Sequence, residues 1–304
     1  MGKEVVVRLK GGLGNQLFQY AAAYAVAKRN GAKLMIDSYT GFPIDPVNRK
    51  YSLDQYPIEG ETLPSEECYK IADESKLERR YRSYREQLRL RVFKTMYDPG
   101  VHRLKVRNRV VMEGFWISPR YMGDLAGNIK SQLETPLELS DYALQYREIM
   151  QSCNSVSVHL RKLHGLAPDG KQLSWKYRRG IPFVLSAEYY SKALDHIRAQ
   201  RGKDIHIFVF SDSPARAQAE YNPGGNITFI NNPTGRDYED LYLMNQCRHH
   251  VLANSTFSWW GAWLGQAEDQ IVCAPDYSSN TSNWPVVEDV YPPSWHILRE
   301  RPIK

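Results

Sequence analysis

The sequence lacks the features of a membrane-spanning or disulfide-stapled protein. Its 304 residues include only four cysteines, which are scattered and form no C-x-x-C pair, so neither a disulfide scaffold nor a zinc cluster is expected. No run approaches the roughly 18 consecutive apolar residues of a membrane span. At the start, three valines are followed at once by Arg8, which does not predict a signal peptide. These absences predict a cytoplasmic protein.

Net positive charge is confined to one segment. Residues 76–109 contain 12 Lys or Arg against three acids, whereas the whole chain has a net charge of only +6. Nucleic-acid binders spread positive charge more widely, so no nucleic-acid partner is expected. Apolar residues three or four positions apart predict a basic amphipathic helix over 76–94. It is interpreted either as a peripheral contact with an anionic inner membrane, or as a packed helix with a solvated basic side.

The hydrophobic pattern alternates between strands and helices. In the first half it predicts a strand at 4–9, a glycine-rich turn, a helix at 17–29 and a strand at 33–36. In the second half it predicts strands at 155–160, 205–210, 227–230, 250–253 and 271–273, with helices at 186–200, at 237–247 and from about 257. Such alternation predicts doubly wound parallel sheets. We therefore expect an α/β protein of two Rossmann-like domains, 1–150 and 151–304, facing a cleft.

Candidate site residues lie at the ends of three predicted strands of the second half. They are His159 and Arg161, then Asp212, then the mostly polar run of Asn254, Ser255, Thr256, Phe257 and Ser258. Ligands of doubly wound sheets bind beyond the carboxyl ends of the strands. There an arginine binds phosphate bidentately, a helix start offers free N–H groups, and a carboxylate accepts hydrogen bonds from a nucleoside. The pattern predicts a nucleoside diphosphate site.

Each of these residues also has an ordinary structural interpretation. Ser255 or Thr256 could simply cap a helix, and Asp212 could cap the helix that follows Pro214. Arg161 could be a surface ion-pair partner and His159 a core histidine. The tryptophans of 259–263 are interpreted as packing residues.

The glycine-rich turn of the first half has two interpretations. Gly12-x-Gly14 with Asp37 beyond the next strand resembles a dinucleotide-binding fingerprint, which would indicate an NAD-dependent oxidoreductase. The third glycine position is occupied by Leu17, which disfavours that hypothesis. A tight turn at Gly14 that directs Asn15 and Gln16 into the cleft explains the same residues.

Several motifs resemble glycosyltransferase family 11, the α-1,2-fucosyltransferases. They are G-G-L-G-N-Q-L-F-Q-Y-A at 11–21, G-F-W at 114–116, F-S-D at 210–212, M-x-x-C at 244–247 and A-N-S-T-F-S-W-W-G-A-W-L at 253–264. The resemblance covers about residues 4–275, and its first and last motifs are the most specific.

The resemblance implies a GT-B fold and an inverting transfer of L-fucose from GDP-fucose. The implied acceptor is the 2-hydroxyl of a terminal galactose, on an oligosaccharide or a lipid-linked glycan of a bacterial surface. The first domain would be the acceptor side and the second the donor side. No metal or cofactor is implied, and the chain has no Asp-x-Asp pair with which to chelate one. A cation at the leaving group would then be Arg161, aided by a helix dipole.

His159 and Arg161 match the family's H-x-R-R-x-D motif, whose arginine holds the donor diphosphate. Together with the strand-end positions this predicts that Ser255–Ser258 and Arg161 hold the diphosphate, and that His159 and Asp212 hold the nucleoside. The sequence departs from the motif with Leu163 and His164 in place of its glycine and aspartate.

The departure leaves the general base and the donor open. His164 is the candidate base because its ordinary pKa lies near the working pH. Asp169 and Glu188 are the competing carboxylates. A relative that uses another sugar nucleotide and a non-catalytic carbohydrate-binding relative remain alternative functions.

Overall fold

The computed structural model describes residues 2–43, 45, 48–74, 97–161, 185–265, 267–276 and 287–298. Within these limits the chain divides into two compact units. The first comprises Met1–Leu133 and the described part of Asn280–Pro292, and the second comprises Glu134–Ser279 and Pro293–Lys304.

The sequence placed the division at residue 150, but it lies earlier, between Leu133 and Glu134. The reason is that helix α5, Asp141–Gln151, packs on helix α8, Asp237–Gln246, which belongs to the second unit. Glu239 of α8 accepts hydrogen bonds from the backbone N–H of Ser140 at 2.8 Å and from its hydroxyl at 3.0 Å. Burial would raise the pKa of Glu239, but hydrogen bonds from Ser140, Thr234 and Asn232 outweigh burial and lower it. The start of α5 is therefore tied to an ionised carboxylate of the second unit.

The first unit contains a parallel four-stranded sheet of order β3-β2-β1-β4. Its strands are β1 Glu4–Arg8, β2 Lys33–Asp37, β3 Glu61–Thr62 and β4 Arg109–Met112. Its helices are α1 Leu13–Asn30, α2 Ser65–Glu74, α3 Pro99–His102, α4 Ala126–Leu133 and α10 Val287–Val290, with 3₁₀ turns at Leu53–Gln55, Pro119–Tyr121 and Gly123–Leu125. The predicted strands at 4–9 and 33–36 are confirmed.

Helix α1 begins four residues before its predicted start. Gly12 has extended backbone, and its carbonyl accepts from the N–H groups of Asn15 and Gln16 at 2.9 and 3.1 Å. The predicted turn residues Gly14, Asn15 and Gln16 are thus the first turn of the helix. The helix ends as predicted, at Gly31, whose φ of 58° is the left-handed conformation that favours glycine.

The second unit contains a parallel six-stranded sheet of order β10-β9-β8-β5-β6-β7. Its strands are β5 Ser155–Leu160, β6 His206–Ser211, β7 Asn226–Phe229, β8 His249–Val251, β9 Val272–Pro275 and β10 His296–Leu298. Besides α5 and α8, its helices are α6 Ala187–Arg201, α7 Pro214–Glu220 and α9 Thr256–Leu264. This is the classic Rossmann strand order, with its reversal between β5 and β8.

The doubly wound α/β prediction is confirmed in both units. The tail that the sequence left unassigned contributes β10, a further parallel strand beside β9. Trp259 and Trp260 are buried, and Trp263 and Trp295 contact their rings, so the tryptophan run packs the second unit as predicted. Among the described residues, no helix is both long and apolar enough to cross a membrane.

Candidate functional site

Three predicted site residues converge at the carboxyl edge of the second sheet. Arg161 follows β5, Asp212 follows β6, and Ser255 lies between β8 and α9. Arg161 donates from Nη1 to Oγ of Ser255 at 3.0 Å, and its Nε lies 3.8 Å from Oδ2 of Asp212. Their side chains stay partly accessible, at 37% for Arg161 and 31% for Asp212. Because β5 and β8 flank the reversal of strand order, this is where such sheets bind ligands.

Ser255 is also the N-cap of α9. Its Oγ accepts from the N–H of Phe257 at 3.3 Å as well as from Arg161. The capping interpretation is therefore correct, and it holds together with the contact to arginine. Thr256 begins the helix, so the first N–H groups of α9 lie beside the guanidinium that Ser255 binds.

Ser258 is placed differently from its prediction. It is fully buried, and its hydroxyl donates to the carbonyls of Ala253 and Ser255 at 3.4 and 3.3 Å. These bonds tie the loop before α9 to the helix. The predicted ligand contact of Ser258 is corrected to a supporting role, because its donor is used inside the chain.

Asn254 is the residue of this loop with an unused acceptor. It is 4% exposed, and within the part of the chain that the structure describes its Oδ1 has no hydrogen-bond partner. A buried acceptor without a donor is uncommon and costs free energy unless something binds it.

The structure decides between the two interpretations of His159, as a core or a site residue, and between those of Asp212, as a helix cap or a site residue. His159 is 6% exposed, its ring lies 5.9 Å from that of Phe257, and its carbonyl accepts from the hydroxyl of Tyr190 at 3.0 Å. It therefore packs beneath the start of α9. Asp212 does not cap α7, whose N-cap is Ser213; it faces Arg161 instead.

In the first unit, Gln16 does not offer its amide to a ligand. Its Nε2 donates to the carbonyls of Gly11 and Lys50 at 2.9 and 2.7 Å, and its Oε1 accepts from the N–H of Ser52 at 3.1 Å. With all three bonds inside the unit and no exposure, Gln16 fastens a loop to α1. That part of its prediction is corrected. Gly14 is buried and Asn15 half-buried in the same turn.

Some predicted residues lie outside the described part of the chain. They are His164, Leu163, Asp169 and the larger part of the basic segment, 75–96. The competing carboxylate Glu188 is described. It is exposed in the first turn of α6 and lies 2.6 Å from Nζ of Lys192.

A second group of polar residues lies at the carboxyl edge of the first sheet, and of these only Asp37 was named from the sequence as a possible binding residue. Arg8 ends β1, Asp37 ends β2, and Glu113 follows β4. The rule that found Arg161 would have found them, had it been applied to the strands of the first half.

Comparison with known proteins places the chain in a family. The model of Glycosyl transferase family 11 matches residues 110–299, more than half of the sequence, including β4 and the whole loop before α9. The chain belongs to glycosyl transferase family 11.

Two curated relatives of this chain come from Escherichia coli. The O-antigen biosynthesis glycosyltransferase WbnK is 28% identical in an alignment 299 positions long, which covers 88% of this chain and 92% of WbnK. An alpha-1,2-colitosyltransferase is 29% identical in an alignment 279 positions long, which covers 89% of this chain and 91% of that enzyme.

A solved structure supports the fold assignment. The alpha-1,6-fucosyltransferase NodZ, in a crystal soaked with GDP-fucose, aligns with a TM-score of 0.51 at 15% identity, over 87% of this chain and 93% of its own. The GT-B class expected from the motifs is thus confirmed at the level of fold.

Proposed function

We propose that this glycosyltransferase transfers L-fucose from GDP-fucose to the 2-hydroxyl of a terminal galactose, on an oligosaccharide or lipid-linked glycan destined for a bacterial surface. The observation that carries the proposal is the contact of Arg161 with the cap of α9 and with Asp212. Membership of family 11 and the O-antigen enzyme among the relatives support it. The transfer inverts the anomeric centre and needs no metal.

Arg161 stabilises the leaving diphosphate in this proposal. As the glycosidic bond breaks, negative charge grows on the departing phosphate while the sugar becomes oxocarbenium-like. A fixed guanidinium and the first N–H groups of α9 are oriented before the reaction, so they stabilise the transition state more than the ground state. Ser255 holds Arg161 in that orientation at 3.0 Å.

The nucleoside lies against Asp212, His159 and Asn254. The carboxylate of Asp212 accepts from ribose hydroxyls or the base, and the buried Oδ1 of Asn254 gains the donor that it lacks. His159 and Phe257 supply the floor of this subsite. Gly14 and Asn15, in the first turn of α1, are proposed as further donor-binding residues.

His164 is proposed as the general base that takes the proton of the acceptor hydroxyl. It comes three residues after Arg161 in the sequence, outside the described residues. Replacing it by alanine is expected to lower turnover 10²- to 10⁴-fold. A His164→Ala enzyme with most of the wild-type turnover would place the base elsewhere.

Another sugar nucleotide is the second candidate donor. The E. coli relative that is 29% identical is an alpha-1,2-colitosyltransferase, and colitose differs from L-fucose by the loss of one ring hydroxyl. The same linkage and diphosphate chemistry would then serve a different sugar.

A donor screen separates these functions. Release of nucleoside diphosphate is measured with GDP-fucose, GDP-colitose, GDP-mannose and UDP-galactose, with lactose as acceptor and excess EDTA throughout. Turnover of GDP-fucose above the others is expected, whereas preference for GDP-colitose would select the second donor. Binding of GDP-fucose without turnover of any donor would indicate a non-catalytic relative. Activity that EDTA abolishes and magnesium restores would contradict the metal-free mechanism.

The basic segment 76–109 is proposed to bring the enzyme to an anionic membrane, where lipid-linked acceptors are found. With 12 basic and three acidic residues, the segment has a larger positive net charge than the whole chain, whose net charge is +6. Each basic residue near such a surface contributes about 1 kcal/mol of attraction.

A further inference from the structure

A buried ion network lies at the carboxyl edge of the first sheet. Arg8 is 2% exposed, and its Nε donates to Oδ2 of Asp37 at 3.1 Å and to Oγ1 of Thr40 at 2.7 Å. Its Nη1 donates to Oε2 of Glu113 at 2.8 Å. Burial would raise the pKa of Asp37, but hydrogen bonds from Thr40, the N–H of Tyr39 and Arg8 outweigh burial and lower it. Three hydrogen bonds donated by Arg8 thus join Asp37, Thr40 and Glu113.

The network places one carboxylate at the surface. The side chain of Glu113 is 25% exposed, and its second oxygen, Oε1, lies 3.7 Å from Nζ of Lys10. Lys10 in turn lies with its Nζ 4.9 Å from the ring centroid of Phe115. An accessible carboxylate, an ammonium and an aromatic ring therefore form one contiguous surface.

The aromatic part of this surface is exposed and held by an unusual backbone. Phe115 is 40% exposed, one of the few large apolar side chains in the described residues to be so. The next residue, Trp116, has a φ of 42°, a left-handed conformation that is an outlier for a bulky side chain. Such conformations cluster at ligand-binding sites, where they fix the direction of neighbouring side chains.

The position in the sheet is also that of a ligand site. Lys10 follows β1 and Glu113 follows β4, and these two neighbouring strands flank the reversal of strand order in the first sheet. Arg161 and Ser255 occupy the corresponding positions in the second sheet. Ligands of such sheets bind at this point.

The chemistry of the surface suits a neutral sugar. Arg8 and Lys10 balance Asp37 and Glu113, so the cluster has no net charge with which to attract a phosphate. A pyranose has a face of C–H groups that stacks on an aromatic ring, and a rim of hydroxyls that donate to a carboxylate. A selective small-ligand site usually combines an apolar surface with a small number of fixed polar groups.

We infer that Phe115 and Glu113, with Lys10, form a saccharide-binding site on the first unit, which takes the terminal pyranose of the acceptor. Its assignment to the acceptor rests on the proposed function. Binding of the saccharide itself does not.

Saturation-transfer NMR with lactose as the probe tests the site without relying on turnover. The wild-type protein is expected to transfer saturation to lactose protons, and Phe115→Ala is expected to weaken lactose binding at least tenfold. Phe115→Tyr, which keeps the ring, should restore it. Tyr69→Ala is the matched control, because Tyr69 is an exposed aromatic of the same unit, 51% exposed on α2. Glu113→Gln should weaken binding while keeping the side-chain shape.

Steady-state kinetics with lactose supply the second measurement. Phe115→Ala is expected to raise the KM for acceptor at least tenfold relative to the KM for donor, whereas Tyr69→Ala should change neither. Absence of saturation transfer in the wild type, or equal lactose binding by Phe115→Ala and Tyr69→Ala, would overturn the site. Phe115-dependent binding by a protein that turns over no sugar nucleotide would retain the site and reject the proposed transfer.

Discussion

Ser255 and Ser258 lie one helical turn apart at the start of α9, but their hydroxyls make different contacts. Ser255 accepts from Arg161 and from the N–H of Phe257, whereas Ser258 donates to backbone carbonyls inside the chain. Only Ser255 can orient the guanidinium of Arg161, which is proposed to bind the diphosphate.

Ser255→Ala is therefore expected to lower kcat about tenfold or more, besides the roughly 1 kcal/mol of stability that loss of a helix cap costs. Ser258→Ala is expected to cost a similar free energy of unfolding, because it removes a buried hydrogen bond, while kcat falls less than threefold. Steady-state kinetics of the two variants measure kcat, and urea unfolding measures the free energy of unfolding. Equal losses of kcat would mean that Ser255 acts only as a cap.

The positions of residues at strand ends could be predicted from the sequence, because the carboxyl ends of parallel strands lie at the same edge of the sheet. Arg161, Asp212 and Ser255 meet for that reason. The contacts of Gln16 could not be predicted, because its partners, Gly11, Lys50 and Ser52, include a loop that the pattern does not place.

Helices α8 and α9 pack closely because Gly261 has no side chain. A Cβ at Gly261 would lie 2.6 Å from Sδ of Met244 and 3.0 Å from its Cβ. The motif residues Met244 and Gly261 are thus one packing contact. In contrast, a Cβ at Gly127 of α4 would meet nothing within 4 Å.

The two glycines form a matched pair for substitution. Gly261→Ala is expected to lower the free energy of unfolding by about 1–3 kcal/mol, because overpacking must displace Met244. Gly127→Ala should leave it unchanged or raise it by up to about 1 kcal/mol, through the better helix propensity of alanine. Urea unfolding measures both. Stabilisation by Gly261→Ala would show that the two helices have room to separate.

Strand β8 carries two histidines that folding keeps neutral. Burial lowers the pKa of His250 to about 3 and that of His249 to about 4, against about 6.5 in the unfolded chain. His250 pairs with the hydroxyl of Ser157 at 2.7 Å. Below pH 6.5 the unfolded chain therefore binds more protons than the native one, and stability falls with pH until the folded pKa values are passed.

The variant His250→Asn should reduce this dependence. Each such histidine contributes about 1.4 kcal/mol per pH unit to the slope of unfolding free energy between roughly pH 6 and pH 4. The slope of the variant is expected to be shallower than that of wild type by about that amount, whatever its absolute stability. Urea unfolding at half-unit pH intervals measures it, and parallel slopes would contradict a neutral buried His250.

The sequence predicted the strands in the middle of the second sheet better than the strand at its edge. Strands β5 to β8 were predicted within one or two residues, and β5, β6 and β8 are mostly buried runs bounded by turns. Strand β10 has only three residues, His296–Leu298, and owes its existence to pairing with β9. Helix α5 was missed, and with it the early division between the units.

At the scale of the whole molecule, the basic segment predicts how the enzyme responds to lipid. Flotation with liposomes at low salt should recover more protein with anionic than with neutral vesicles, and about 0.15 M salt should weaken the difference by screening. A variant with four of the segment's arginines changed to glutamine should be recovered equally with anionic and neutral vesicles. Equal recovery with both lipids would remove membrane attraction from the proposal.

The two proposed sites lie at equivalent places in the two sheets. In the second unit, Arg161 and the start of α9 are proposed to offer positive charge to a diphosphate. In the first unit, Phe115 and Glu113 are proposed to offer a neutral, partly aromatic surface to a sugar. A glycosyltransferase needs one site of each kind.

Turnover by Arg161→Lys at saturating donor tests whether Arg161 holds the diphosphate. Lysine keeps the charge but cannot make the two-pronged contact with phosphate, so kcat is expected to fall about 100- to 1,000-fold. Arg198→Lys is the control, an arginine of α6 that pairs with Asp195 and contacts the carbonyls of Pro223 and Gly224, before β7. It should keep wild-type kcat. A near-normal kcat for Arg161→Lys would mean that the diphosphate is held elsewhere.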